Sequence, residues 1–117
     1  MNVYEESHRL SQAIKESEEY KQYMNLKAKI DENPELAKKV NDFIEKQFEL
    51  QAQQLINKEE ANSEKMAQEM ANLQELSRIL MTDPLAAEYL QAQVRFSIMM
   101  NDVYKILSDV ISVGNVM

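Results

Sequence analysis

Glu5 and His8 are the residues whose types and spacing come closest to a chemical site. They stand three positions apart, the Glu-x-x-His spacing with which di-iron carboxylate bundles place two metal ligands on one helix face. Such a site needs the motif twice and two further carboxylates, whereas His8 is the single histidine of the chain. We therefore interpret His8 as a surface residue and predict no metal site, keeping a metal-binding helical bundle as a less favoured alternative.

Other kinds of catalytic or cofactor chemistry find no support in the sequence. The chain has no cysteine, which removes disulfides, thiolate zinc sites, cysteine-ligated iron–sulfur clusters and cysteine nucleophiles. Its acidic residues are scattered among lysines and lack the apolar surroundings that raise a carboxyl pKa for acid–base catalysis. No nucleophile motif or Gly-rich phosphate loop occurs. We predict a protein without catalytic residues and without a cofactor.

Composition and charge define the class of protein. The 117 residues suit one domain, residues 1–117, and the good helix formers dominate while only one Gly and two Pro are present. We predict an all-α fold of about five helices in an oligomeric bundle. The net charge of −7 argues against direct binding of nucleic acid, which needs clustered Lys and Arg.

The beginning of the chain and its apolar runs bear on localisation. The first ten residues have neither the basic nor the apolar region of a signal peptide. No apolar run approaches the roughly 18 residues of a membrane span. We expect a cytoplasmic protein with no membrane insertion.

Helix boundaries are marked by residues that favour capping. Asn33-Pro34 and Asp83-Pro84 each combine a capping side chain with a proline suited to the first helical position. Ser17 and Ser63 are further N-cap candidates, and the chain is expected to turn within 57–62. The helices between these signals carry apolar stripes. The stripe of the third helix is Leu36, Val40, Phe43, Ile44, Phe48 and Leu55, and that of the fourth is Met66, Met70, Leu73, Leu76 and Leu80.

The last helix, predicted from Pro84 to Val113, has the most extensive apolar surface. Its main stripe alternates steps of four and three residues, as in a coiled coil. The stripe comprises Leu85, Tyr89, Ala92, Phe96, Met99, Val103, Ile106 and Val110, and a second row comprises Leu90, Val94, Met100, Tyr104, Leu107 and Ile111. A helix of roughly 45 Å exceeds the core of a domain this size, so we expect part of it to meet a second copy. The candidate interface residues are Tyr89, Phe96, Met99, Met100, Val103 and Ile106.

Methionine and tyrosine leave two interpretations open. Eight methionines are present, and those at Met66, Met70, Met99 and Met100 lie where helices are expected to pack. Flexible thioethers fill cores or line a pliable partner groove, and core filling is the favoured interpretation. The tyrosines serve equally well as interface anchors or as half-buried core positions.

The segment from Ala13 to Gln54 carries a series of short motifs in a defined order. They are Ala13-Ile14, Ser17 to Tyr20, Asn33 to Glu35, Phe43, and the Gln-containing run Gln47 to Gln51. In this order and spacing they resemble the signature of the YlbF/YmcA family of small bacterial cytoplasmic proteins, to which the YheA-type proteins are related. The later helices fit the length and order of the family, so the resemblance covers nearly the whole chain.

The resemblance implies an all-helical, oligomeric protein that regulates without known catalysis. Members of the family regulate competence, biofilm formation and sporulation, and they are linked to RNA processing through a complex that assists endoribonuclease Y. Some members bind iron–sulfur clusters through cysteines, which this chain lacks. The function predicted here is a non-enzymatic adaptor or regulator acting through protein–protein contacts. A structural or chaperone-like helical oligomer is the alternative.

Overall fold

The computed structural model describes residues 1–56 and 63–110, and these residues form five α-helices and no strand. In chain order they are α1 (Val3–Glu16), α2 (Glu18–Asp31), α3 (Pro34–Ile56), α4 (Glu64–Leu80) and α5 (Pro84–Ser108). The all-α prediction and the number of helices are confirmed for this part of the chain. The turn predicted within 57–62 lies outside the described residues.

Ser17 separates α1 from α2, as predicted. Its backbone is extended, with φ −68° and ψ 151°, so the helical path cannot continue through it. Its hydroxyl donates to the carbonyl oxygen of Ile14 at 2.6 Å and accepts from the backbone N–H of Tyr20 at 3.2 Å. One side chain thus serves the end of α1 and the beginning of α2.

The other three helices begin at the predicted caps. The Asn33 Oδ1 atom accepts from the N–H of Leu36 at 3.2 Å, at the beginning of α3. The Oγ atom of Ser63 accepts from the N–H of Met66 at 3.1 Å, at the beginning of α4. At the beginning of α5, the Asp83 Oδ1 atom accepts from the N–H groups of Leu85 at 2.9 Å and Ala86 at 3.1 Å. Polar residues and proline therefore determine these boundaries.

The chain divides into two compact units. The first contains Met1–Lys27 together with the chain from Tyr89 onward, and within it α2 contacts α5 through aromatic rings. The second is Ala28–Glu88, and within it α3 packs against α4. Near the end of α3, the amide of Gln54 lies 3.5 Å from the sulfur of Met70 in α4.

The stripe predicted on α3 is partly wrong. Phe48 is 73% exposed and Leu55 is also exposed, whereas Leu50 is buried. Leu50 follows Phe43 by seven residues and therefore returns to the same side of the helix. Phe48 lies about 140° around the helix from Phe43 and forms a second row outside the core.

The end of α5 also differs from the prediction. The helix ends at Ser108, and Asp109 and Val110 form a turn in which the N–H of Val110 donates to the carbonyl oxygen of Leu107 at 3.2 Å. The 25 residues of α5 span roughly 37 Å rather than 45 Å. The predicted residues Ile111 and Val113 lie outside the described part of the chain.

Candidate functional site

Glu5 and His8, the pair with metal-ligand spacing, are both exposed on α1. Within residues 1–56 and 63–110, no group of three or more His, Cys, Asp or Glu side chains lies close enough together to hold a metal ion. The same residues include no buried polar or charged side chain. The described part of the chain therefore offers surfaces for contact and no enclosed polar site.

Glu75 and Arg78 form a paired charge on the outer side of α4. The Arg78 Nε–H donates to the Glu75 Oε2 atom at 3.1 Å, and a second bond joins Nη2 to Oε1. This hydrogen bonding lowers the pKa of the Glu75 carboxyl and raises the pKa of the Arg78 guanidinium. Both side chains are exposed, so the pair is a surface ion pair with a small effect on stability.

Four aromatic rings hold α2 against α5 in the first unit. Tyr23 stacks on Phe96 with ring centroids 5.2 Å apart and on Tyr89 with centroids 5.5 Å apart. Tyr20 meets Phe96 edge to face at 5.8 Å. These are favourable geometries for aromatic pairs. The main stripe of α5 is therefore covered by α2 near Tyr89 and Phe96.

The same stripe is uncovered further along α5. We call residues 100–110 the distal segment; it contains exposed apolar side chains at Tyr104, Ile106, Leu107 and Val110. Ile106 is 70% exposed and Leu107 is 52% exposed. Soluble monomers seldom leave several large apolar side chains exposed together, and such patches mark contact surfaces. The distal segment is the candidate interaction surface of the first unit.

The six predicted interface residues differ in how far the chain itself covers them. Tyr89 is 3% exposed, and Phe96 is half-buried against two tyrosines of α2. Met99, Met100 and Val103 are half-buried, and Ile106 is largely exposed. A second copy thus has access chiefly to the later members of the set. The role of all six in an interface stays a prediction.

Three exposed residues missing from that set are Tyr104, Leu107 and Val110. Tyr104 and Leu107 belong to the second apolar row, and Val110 ends the main stripe. The sequence contained a signal for these three residues, because both apolar rows of α5 continue beyond the part of the helix that α2 can cover. Arg95 lies within that region, since its guanidinium donates to the Gln22 side chain of α2 at 3.4 Å.

A second surface lies in the other unit, between α3 and α4. It is a groove of about 290 Å³, which we call the α3–α4 groove. Its lining residues are Phe43, Gln47, Leu50, Gln51, Gln54, Met70, Leu73, Gln74 and Ser77. The sequence does not show that these glutamines line one groove, because their meeting across two helices depends on the tertiary packing.

None of the helices described by the structure is long and apolar enough to cross a membrane.

Comparison with known proteins adds a family to this geometry. A family model described as "Control of competence regulator ComK, YlbF/YmcA" matches residues 3–112. A protein named UPF0342 protein from Symbiobacterium thermophilum is 34% identical over 111 residues, covering 95% of each chain. Proteins of the same name from Desulfitobacterium hafniense and Streptococcus mutans are 36% and 32% identical, covering 95% and 92% of this chain and 86% and 90% of their own lengths.

Proposed function

The chain belongs to the YlbF/YmcA family, whose model is described by control of the competence regulator ComK, and from this membership we propose a non-enzymatic helical adaptor. The adaptor regulates by binding proteins through apolar helix faces. It self-associates through the distal segment of α5, as a dimer or a larger oligomer. Its place of action is the cytoplasm.

One observation supports this proposal above all others, the change in coverage along α5. The stripe that is buried at Tyr89 and Ala92 continues to Ile106 and Val110, where it is exposed. Covering a side chain such as Ile106 or Leu107 contributes about 1.5–3 kcal/mol for a fully buried residue. Two or three such residues on each copy give enough driving force for association if the surface is complementary.

The family resemblance supplies the proposed partners and processes. We place the protein with the regulators linked to competence, biofilm formation and sporulation, and we propose that it contacts the complex assisting endoribonuclease Y in RNA processing. The net charge of −7 favours protein contacts over direct contact with RNA, because a phosphate backbone repels an acidic surface.

The test combines mass in solution with recovery of partners. The natural protein, Leu107→Glu and a control, Asn101→Glu, are compared by light scattering at tens of micromolar. Both substitutions add one negative charge to an exposed position of α5, but Leu107 is one of the exposed apolar residues of the distal segment, whereas Asn101 is itself polar and lies one helical turn from Ser97 and Lys105. We expect an oligomer for the natural protein and the control, and a monomer for Leu107→Glu, because burying an unpaired carboxylate is costly.

Affinity-tagged forms of the same three proteins are then used to recover YlbF/YmcA-type proteins and endoribonuclease Y from the source cells. Recovery with the natural protein and the Asn101→Glu control is the expected result. A monomeric natural protein would contradict self-association. An oligomer that recovers none of these proteins would contradict the adaptor role and favour a structural or chaperone-like oligomer.

A further inference from the structure

The α3–α4 groove has an unusual lining for a protein in which 28% of the residues are charged. Phe43 and Leu50 are buried at its base, and glutamine side chains stand along its rim. None of its nine lining residues carries a charge. Because a charged group loses much of its hydration in such a groove and finds no ionic partner there, the fitting occupant is an uncharged surface.

The surface beside the groove is apolar on the α3 side, and on the α4 side it is small before Gln74 and carries the exposed Arg78 one turn after it. Phe48 and Leu55 of α3 lie three and four residues from Gln51, on the same side of the helix, and both are exposed. On α4, Ala67 and Ala71 precede Gln74 by seven and three residues and leave little side-chain bulk. A helix lying along the groove would cover the two large residues and approach α4 closely.

The distal segment of α5 has a face with the matching properties. Met100, Val103, Tyr104 and Leu107 stand at i, i+3, i+4 and i+7, so they share one side of the helix. We call these four residues, with Val110, the α5 face. The charged residues of the same segment, Asp102, Lys105 and Asp109, lie on the opposite side. The α5 face is therefore uncharged along its whole length.

The two surfaces are also compatible in length and in polar groups. From Phe43 to Gln54 the groove follows α3 for roughly 16 Å, and the helical part of the α5 face, from Met100 to Leu107, extends roughly 10 Å before the turn that carries Val110. The Tyr104 hydroxyl can both donate and accept, and glutamine amides offer both kinds of partner. An occupant with this one hydroxyl among apolar groups suits a rim of neutral amides.

We propose that the α5 face of one copy packs into the α3–α4 groove of a second copy. This inference rests on the proposed self-association through the distal segment and names the surface that the segment meets. It makes the contact heterologous, with a different surface contributed by each copy, rather than a symmetric contact between two α5 helices.

The absence of natural cysteine allows a direct test with single-cysteine variants of the full chain. Gln51→Cys places a thiol on the rim of the groove, and Leu107→Cys places one on the α5 face. The two purified variants are mixed, treated with a short thiol-specific cross-linker and analysed by mass spectrometry. In one control mixture Gln68→Cys, an exposed glutamine of α4 outside the groove lining, replaces Gln51→Cys. In the other, Lys105→Cys replaces Leu107→Cys.

The expected result is a covalent two-chain product joining positions 51 and 107 in the first mixture, with little product in either control mixture or in each variant alone. Cross-linking of Leu107→Cys to itself at the same yield as in the mixture would overturn the inference in favour of a symmetric α5 contact. An oligomer without cross-linking between positions 51 and 107 would also overturn it while leaving self-association intact. A natural protein that is monomeric by light scattering would overturn both proposals.

Discussion

The ring of Tyr23 in α2 lies on the ring of Phe96 in α5, with centroids 5.2 Å apart and planes 7° from parallel. Phe96 also receives the edge of Tyr20, so a single side chain of α5 contacts two rings of α2. Offset and edge-to-face pairs of this kind contribute about 0.5–1.5 kcal/mol beyond their buried area. The region of α5 around Phe96 therefore stabilises the protomer itself.

Phe96→Ala is expected to destabilise the protein strongly. The substitution removes two ring contacts and leaves a cavity, and such changes cost about 3–5 kcal/mol in cores. Because Phe96 is half-buried, we expect a loss near the lower end of that range. Urea unfolding followed by circular dichroism measures this loss of unfolding free energy.

The control is Phe48→Ala, measured at low protein concentration, where removing a 73% exposed ring should change the free energy of unfolding by no more than about 0.5 kcal/mol. Equal losses in the two variants would contradict the assignment of Phe96 to the protomer core.

Asn33→Ala and Asp83→Ala test the two caps that precede prolines. Each should cost about 0.5–2 kcal/mol of unfolding free energy, because backbone N–H groups at the beginning of a helix lose their acceptor. Asp83 accepts from two N–H groups and Asn33 from one described here, so we expect the larger loss for Asp83. Partner recovery by the folded Asn33→Ala protein should be unchanged. Lost recovery at unchanged stability would instead identify this turn as a contact site.

These caps also explain why the helices could be predicted and the faces could not. Asn33 and Asp83 act on their own next turn, so their effect is local and visible in the sequence. The choice between Phe48 and Leu50 depends on where α4 lies, because α3 carries apolar residues on two sides. Likewise, both tyrosines of α2 were visible in the sequence, but their stacking on Phe96 depends on tertiary packing. The candidate surfaces therefore had to be identified from the apolar side chains that the folded chain leaves exposed. The spacing of apolar residues in the sequence does not give this information by itself.

Arg78→Gln should raise the pKa of the Glu75 carboxyl toward its ordinary value, because the hydrogen bonds from the guanidinium are what lower it. A depressed folded-state pKa adds stability above the unfolded-state value and loses it as pH falls through the folded-state value. The stability difference between the natural protein and the variant should thus be present at pH 7 and disappear in acid. Titration of the Glu75 carboxyl by NMR measures the shift. The control Arg95→Gln changes an arginine that contacts Gln22 and should leave the Glu75 titration unchanged.

Metal content tests the least favoured alternative. Glu5 and His8 are exposed, and no third ligand lies near them in the described part of the chain. Purified natural protein and His8→Ala should therefore contain equal, substoichiometric amounts of iron, manganese and zinc by elemental analysis. Stoichiometric metal in the natural protein that is lost in His8→Ala would establish a metal site at α1.

The thermal stability of the natural protein should depend on its concentration, because self-association through the distal segment stabilises only the folded chain. For a dimer, a tenfold increase in concentration corresponds to about 1.4 kcal/mol per dimer, or about 0.7 kcal/mol per chain. For a chain of this size, that raises Tm by roughly 2–5 °C.

Leu107→Glu should show a Tm independent of concentration. The Leu107 side chain is half-exposed in the protomer, so the substitution disrupts the contact between copies rather than the fold. Asn101→Glu should behave like the natural protein. A concentration-dependent Tm that persists in Leu107→Glu would move the interface away from the distal segment.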